Sequence, residues 1–140
     1  MRMQLTLGLR GVVNGPTETQ VEQAVRSLPG GDDSYAILAQ SGRDDRSGDY
    51  YIQTLGGPSE GYLLEYREGS AQRHFRCTEA ALTTDAVLAA FLAYFHGRAD
   101  YKTGLRWVQE TPKDSSGLPA LVLAVALVVL VGLLAWWLAW

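Results

Sequence analysis

The chain has 140 residues and a formal net charge of −3, which allows one domain plus an appendage. Its ten arginines and two lysines are interspersed with acids, and this excludes a phosphate-tracking surface, which needs clustered cations. Cys77 is the only cysteine, so an internal disulfide is excluded and a reduced, cytoplasmic domain is expected.

Met3, Leu5, Leu7 and Leu9 alternate with polar residues and glycine, which predicts a half-buried first strand. The N-terminus has no hydrophobic signal core, so no cleaved export signal is expected. Val12 and Val13 are compatible with a short return strand. Thr17-Glu18-Thr19-Gln20 reads as a capping box, and Val21, Ala24, Val25 and Leu28 continue it as the apolar stripe of a helix. Pro29-Gly30-Gly31 ends that helix. Strands are expected over Tyr35–Gln40 and Tyr50–Leu55, separated by the polar loop 41–49.

The run from Gly61 to Cys77 reads as a hairpin. With Gly69-Ser70 at the turn, Tyr62, Leu64, Tyr66, Arg73, Phe75 and Cys77 share one face, and Leu64 lies opposite Phe75. Leu63, Glu65, Arg67, Gln72, His74 and Arg76 share the other. The first face is mostly apolar and the second mostly charged, as in an antiparallel sheet covered by helices on one side. A second helix follows, capped by Thr83 or Thr84, with a core stripe of Val87, Leu88, Phe91, Leu92 and Phe95 and a stop at Gly97. A last strand is expected over Leu105–Glu110.

From residue 118 onward the character changes. Residues 119–140 contain no charge and would span about 33 Å as a helix, against a hydrocarbon core of about 30 Å. Trp136, Trp137 and Trp140 cluster at one end, where indole rings favour a membrane interface. The expectation is a single C-terminal transmembrane helix, with the preceding domain on the cytoplasmic side.

Motifs for chemistry are few. Two histidines, His74 and His96, with one cysteine give no closed zinc set, so no metal ligand is assigned. Asp44, Asp45 and Asp49 offer oxygen donors, but their spacing misses the EF-hand pattern. Gly56-Gly57-Pro58 lacks the lysine and following helix of a phosphate loop. His74 across from Glu65 resembles an acid–base pair, although a solvated cross-strand contact is the more ordinary reading. No catalytic residue and no cofactor are assigned, and a hydrolase built on Glu65 and His74 ranks last.

The run Gly61–Gly69, the His74-Phe75-Arg76 that answers it and the helix carrying Phe91-Leu92-Ala93-Tyr94-Phe95 resemble small immunity proteins of bacterial polymorphic-toxin systems. The resemblance covers most of residues 1–112. Members of such families often place a Trp-Glu pair in the last strand, whereas here Trp107 precedes Val108 and the acid comes at Glu110. The resemblance implies a cytoplasmic α+β domain that neutralises a cognate protein toxin by binding it, without enzymatic activity. Together these readings predict an antiparallel sheet of order β-α-β-β-β-β-α-β with both helices on one face. They divide the chain into a binding domain (1–112), a linker (113–118) and a transmembrane helix (119–140) at the bacterial inner membrane. Asp44, Asp45, Asp49, Glu65 and Arg67 are the candidate partner-binding residues, and neither nucleic acid nor a small-molecule substrate is expected. The competing reading is a membrane-anchored adaptor with a partner other than a toxin.

Overall fold

In a computed structural model, residues 2–41 and 50–111 are described, and they form one seven-stranded antiparallel sheet with three helices. The strands are β1 (Arg2–Leu7), β2 (Gly11–Asn14), β3 (Tyr35–Ser41), β4 (Tyr50–Gly57), β5 (Gly61–Glu68), β6 (His74–Cys77) and β7 (Trp107–Glu110). The helices are α1 (Glu18–Arg26), α2 (Thr84–Phe95) and α3 (Asp100–Gly104). Across the sheet the strand order is β2-β1-β3-β4-β5-β6-β7, so the β1–β2 hairpin closes one edge and β7 the other.

The local signals explain most of these elements. Thr17 caps α1 through a complete capping box: its hydroxyl accepts from the Gln20 backbone, and the Gln20 side chain accepts from the Thr17 amide. Val21, Ala24, Val25 and Leu28 are buried, as their spacing requires. Of the two candidate caps of α2, Thr83 is the one used, accepting from the Ala86 amide. Gly97, at φ +68°, follows the helix in the left-handed conformation that helix ends favour.

One face of the sheet carries Leu5, Ala36, Leu38, Ile52, Thr54, Leu64, Tyr66 and Cys77, all buried in one core with residues of α1 and α2. α1 packs against β3 and α2, and α2 packs against β4 and β5, so both long helices cover that same face. The short α3 adds Tyr101, whose ring meets Tyr66 edge-on at 5.3 Å, while Tyr66 stacks on Phe75 at 4.8 Å. Thr54, fully buried, is satisfied by donating to the Leu63 carbonyl at 2.9 Å.

Four expectations are corrected. First, two strands precede α1, not one: β1 stops at Leu7, a 3-10 turn over Gly8–Arg10 follows, and Val12 and Val13 form the return strand β2. Leu9, assigned by alternation to the buried face, is therefore 86% exposed in the turn. Second, the β5–β6 register differs by two residues: Tyr66 lies opposite Phe75, and Arg67 opposite His74. The connection is five residues, 69–73, including a 3-10 turn at Ala71–Arg73 that no two-residue loop would contain. A shift of two leaves the paired strand residues on their predicted faces. Third, the last strand begins at Trp107 and not at Leu105, and a short helix over Asp100–Gly104, α3, which lacks a cap signal, ends just before Leu105. Fourth, β4 does not stop at Leu55 but runs on through Gly56 and Gly57. At Gly56 φ is +100°, and a Cβ there would lie 2.2 Å from the Gly61 carbonyl oxygen, so glycine is required.

Burial pushes the Tyr66 and Tyr101 phenols and the Cys77 thiol above their ordinary titration ranges. A raised folded pKa contributes stability that is complete below the unfolded value and lost as pH rises through the folded one. The domain is therefore expected to lose stability progressively above about pH 8.5, where a free thiol begins to ionise, and more steeply above about pH 10 for the phenols. Tyr101→Phe should flatten the upper part of that decline in a series of urea melts. An unchanged alkaline slope would show that this phenol does not contribute.

Candidate functional site

The opposite face of the sheet carries no helix among the described residues, and its side chains fall into rows set by the strand register. One row runs Asn14, Gln4, Ala39, Tyr51, Arg67, His74, Glu110 from β2 to β7. The next runs Val12, Thr6, Ile37, Gln53, Glu65, Arg76, Val108. The half formed by β4–β7 is thus charged and aromatic, whereas the β1–β3 part of these rows is uncharged. Val12, Leu55 and Val108, three of the exposed large apolar residues, also lie on this face.

Glu65 is the centre of the charged half. It is only 5% exposed although no helix covers it, because longer neighbours close over it. Gln53 Nε2 donates to its Oε2 at 2.5 Å, and Arg76 Nε donates to its Oε1 at 3.1 Å. Arg76 Nη2 also holds Glu110 Oε1 at 2.8 Å, so one guanidinium bridges two carboxylates. The second oxygen of each carboxylate faces the imidazole of His74: Glu65 Oε2 lies 3.5 Å from Nε2, and Glu110 Oε2 lies 3.7 Å from Nδ1. Tyr51 approaches His74 edge-on at 6.4 Å, and the Arg67 guanidinium lies 5.6 Å from the Tyr51 ring centre.

Of the residues proposed from sequence for partner binding, Glu65 and Arg67 are brought together on this face. Asp44, Asp45 and Asp49 lie outside the described residues, as do Trp136, Trp137 and Trp140 and the whole predicted transmembrane helix. Among the described residues, no helix is long and apolar enough to cross a membrane. Glu65 and His74 face each other diagonally and with little solvent access, so the pair is not the solvated cross-strand contact expected of it. Arg76, Glu110 and Gln53 were missed. Glu110 joins only because β7 pairs with β6, a contact between strands separated by two helices.

Two grooves lie toward the other edge of the sheet. One of 280 Å³ is lined by Leu7, Arg10, Leu28 and Tyr35 among others, and one of 590 Å³ by Leu5, Val13, Ala24 and Arg26 among others. Neither includes Glu65 or His74, so neither places a substrate against that pair. Glu65, His74 and Glu110 can each present one ligand atom within 4.8 Å of the others, a separation that a metal ion could bridge. Comparison with family models, with curated proteins and with solved structures finds no match.

Proposed function

We propose that this protein is an immunity-type binding protein that neutralises a cognate bacterial toxin, with the uncovered sheet face as its docking surface. The observation that carries this reading is the cross-linked charge cluster of Arg76, His74 and Glu110 around the buried Glu65, on a face that no helix covers among the described residues. Charged groups already held by one another lose little freedom when a partner arrives, which lowers the cost of binding. Seven strands at about 4.8 Å spacing and about 20 Å of strand length give a face of roughly 650–700 Å². A standard interface uses about 800 Å² per partner, so flanking loops must contribute. In this proposal Asp44, Asp45 and Asp49, in the sequence between β3 and β4, belong to that contributing surface. Those acids would steer a basic toxin surface toward the face.

In this proposal residues 119–140 anchor the domain to the inner membrane, with the domain in the cytoplasm and the three terminal tryptophans at the far interface. Tethering would concentrate the domain where a toxin enters or acts.

The test is co-expression and co-purification of the full-length protein with the product of the adjacent gene, scored for protection. Arg67→Glu should weaken binding by at least about tenfold while the domain stays folded. Reversal of Asp44, Asp45 and Asp49 together should slow association. Full protection by both variants would remove this face and its rim from the binding site. A stable complex with a partner that is not toxic would instead favour the adaptor reading. Deleting residues 118–140 should yield a soluble, folded fragment that still binds; aggregation of that fragment would count against the anchor.

A further inference from the structure

We propose that Glu65, His74 and Glu110 form a binding site for one divalent cation of the zinc type, a site that the sequence spacing does not suggest. His74 and Glu110 are 36 positions apart in the chain and adjacent in the sheet, so only the β5-β6-β7 order assembles the set. The donor types are one imidazole nitrogen and two carboxylate oxygens, the mixture that suits a borderline ion such as zinc.

Three observations support the assignment. The first is spacing. Ligands held at 2.0–2.2 Å in a tetrahedron lie about 3.3–3.6 Å apart. His74 Nε2 and Glu65 Oε2 are 3.5 Å apart, Glu110 Oε2 lies 3.7 Å from the other ring nitrogen, Nδ1, and one ligand atom from each of the three residues can be taken with all within 4.8 Å of one another. Closing the remaining gap falls to Glu110, which sits on the short edge strand β7 with its side chain partly exposed.

The second is the state of the imidazole. His74 Nε2 is buried and accepts or donates no hydrogen bond among the described residues, and Glu65 Oε2 at 3.5 Å is too distant to supply one. A buried ring nitrogen without a hydrogen bond is costly, and coordination would satisfy it.

The third is how the carboxylates are shared. Arg76 binds Oε1 of Glu65 and Oε1 of Glu110, leaving Oε2 of both turned toward the imidazole. The guanidinium therefore orients both carboxylates from behind, as the outer partners of metal ligands commonly do. It does not have to leave for an ion to enter. Gln53, which donates to Glu65 Oε2, is the group that must turn aside.

The probe is zinc alone, titrated calorimetrically into the full-length protein in mild detergent after treatment with a chelator. One saturable equivalent per chain is expected. His74→Ala and Glu110→Gln should each weaken it by at least about tenfold, by the loss of one ligand. His96→Ala serves as the control, because His96 and Glu18 form a separate exposed pair at 3.0 Å. It should leave binding unchanged. A melting curve for each variant reports whether it folds, and Glu110→Gln, altered only on the edge strand, carries the test where His74→Ala does not. Absence of saturable binding would overturn the proposal. So would binding that survives in every folded variant of the cluster, or binding lost with His96→Ala.

Discussion

Phe91→Ala is expected to be among the most damaging single substitutions, at about 3–5 kcal/mol. Phe91 is fully buried and is the largest side chain in the core that solvent does not reach. It belongs to the same cluster as Leu64, Ile52 and Val21, so α1, α2 and the centre of the sheet all lose packing when it is truncated. The cost comes in two parts, the lost transfer of the ring out of water and the cavity left among neighbours that cannot collapse fully. Single domains have only about 5–15 kcal/mol in total, so the variant should sit near the limit of folding. Leu92→Ala provides the contrast. Leu92 is next in sequence but only partly buried, and its loss should be clearly smaller. Equilibrium urea unfolding of the full-length protein and both variants in mild detergent measures the difference. A loss below about 1 kcal/mol for Phe91→Ala would mean that the helix layer is not the core.

How much of this was legible in the sequence depends on the range of the interaction. Local chemistry reads well: the Thr17–Gln20 capping box, the buried stripe of Val21, Ala24 and Val25, and the glycine stop at Gly97 all appear as expected. The two faces of the β5–β6 hairpin were also legible, because alternation fixes faces even when the register is displaced by two. The register itself was not. Gly69-Ser70 resembles a two-residue turn, but the chain continues through a 3-10 turn before β6 begins. The short helix α3 was missed for a similar reason. Five residues without a hydroxyl cap give no pattern, and packing of Tyr101 on Tyr66 and Tyr94 supplies what propensity does not.

The candidate site was legible only in fragments. Glu65, Arg67 and His74 could be placed on one face by alternation, but the partners that bury Glu65 come from other strands. Gln53 is set opposite it by the β4–β5 register, and Arg76 by the corrected β5–β6 register. With the turn read at Gly69-Ser70, Arg76 would have lain two positions away from Glu65. A single displacement of register thus separates a solvated pair from a closed network.

That network should also resist disruption asymmetrically. Arg76→Ala removes the Arg76 hydrogen bond to Glu65, whose nearly buried carboxylate keeps Gln53 and the more distant His74. An uncompensated charge in that position costs more than the hydrogen bond itself is worth, because desolvation remains when the partner is gone. The Arg76 side chain is 47% exposed, and water entering the vacated space moderates the loss. The expected destabilisation is about 1–3 kcal/mol. Glu65→Gln should cost less, since Arg76 keeps Glu110 at 2.8 Å and the amide fills nearly the same volume. Combining the two changes should then be milder than the sum of the single effects, because the buried charge that penalises Arg76→Ala is gone. A double-mutant cycle by urea unfolding reads this directly, with a coupling of about 0.5–3 kcal/mol expected for residues in one network. Additive single effects would show that Glu65 and Arg76 are neighbours without being partners, and the closed network on the open face would then have no energetic reality.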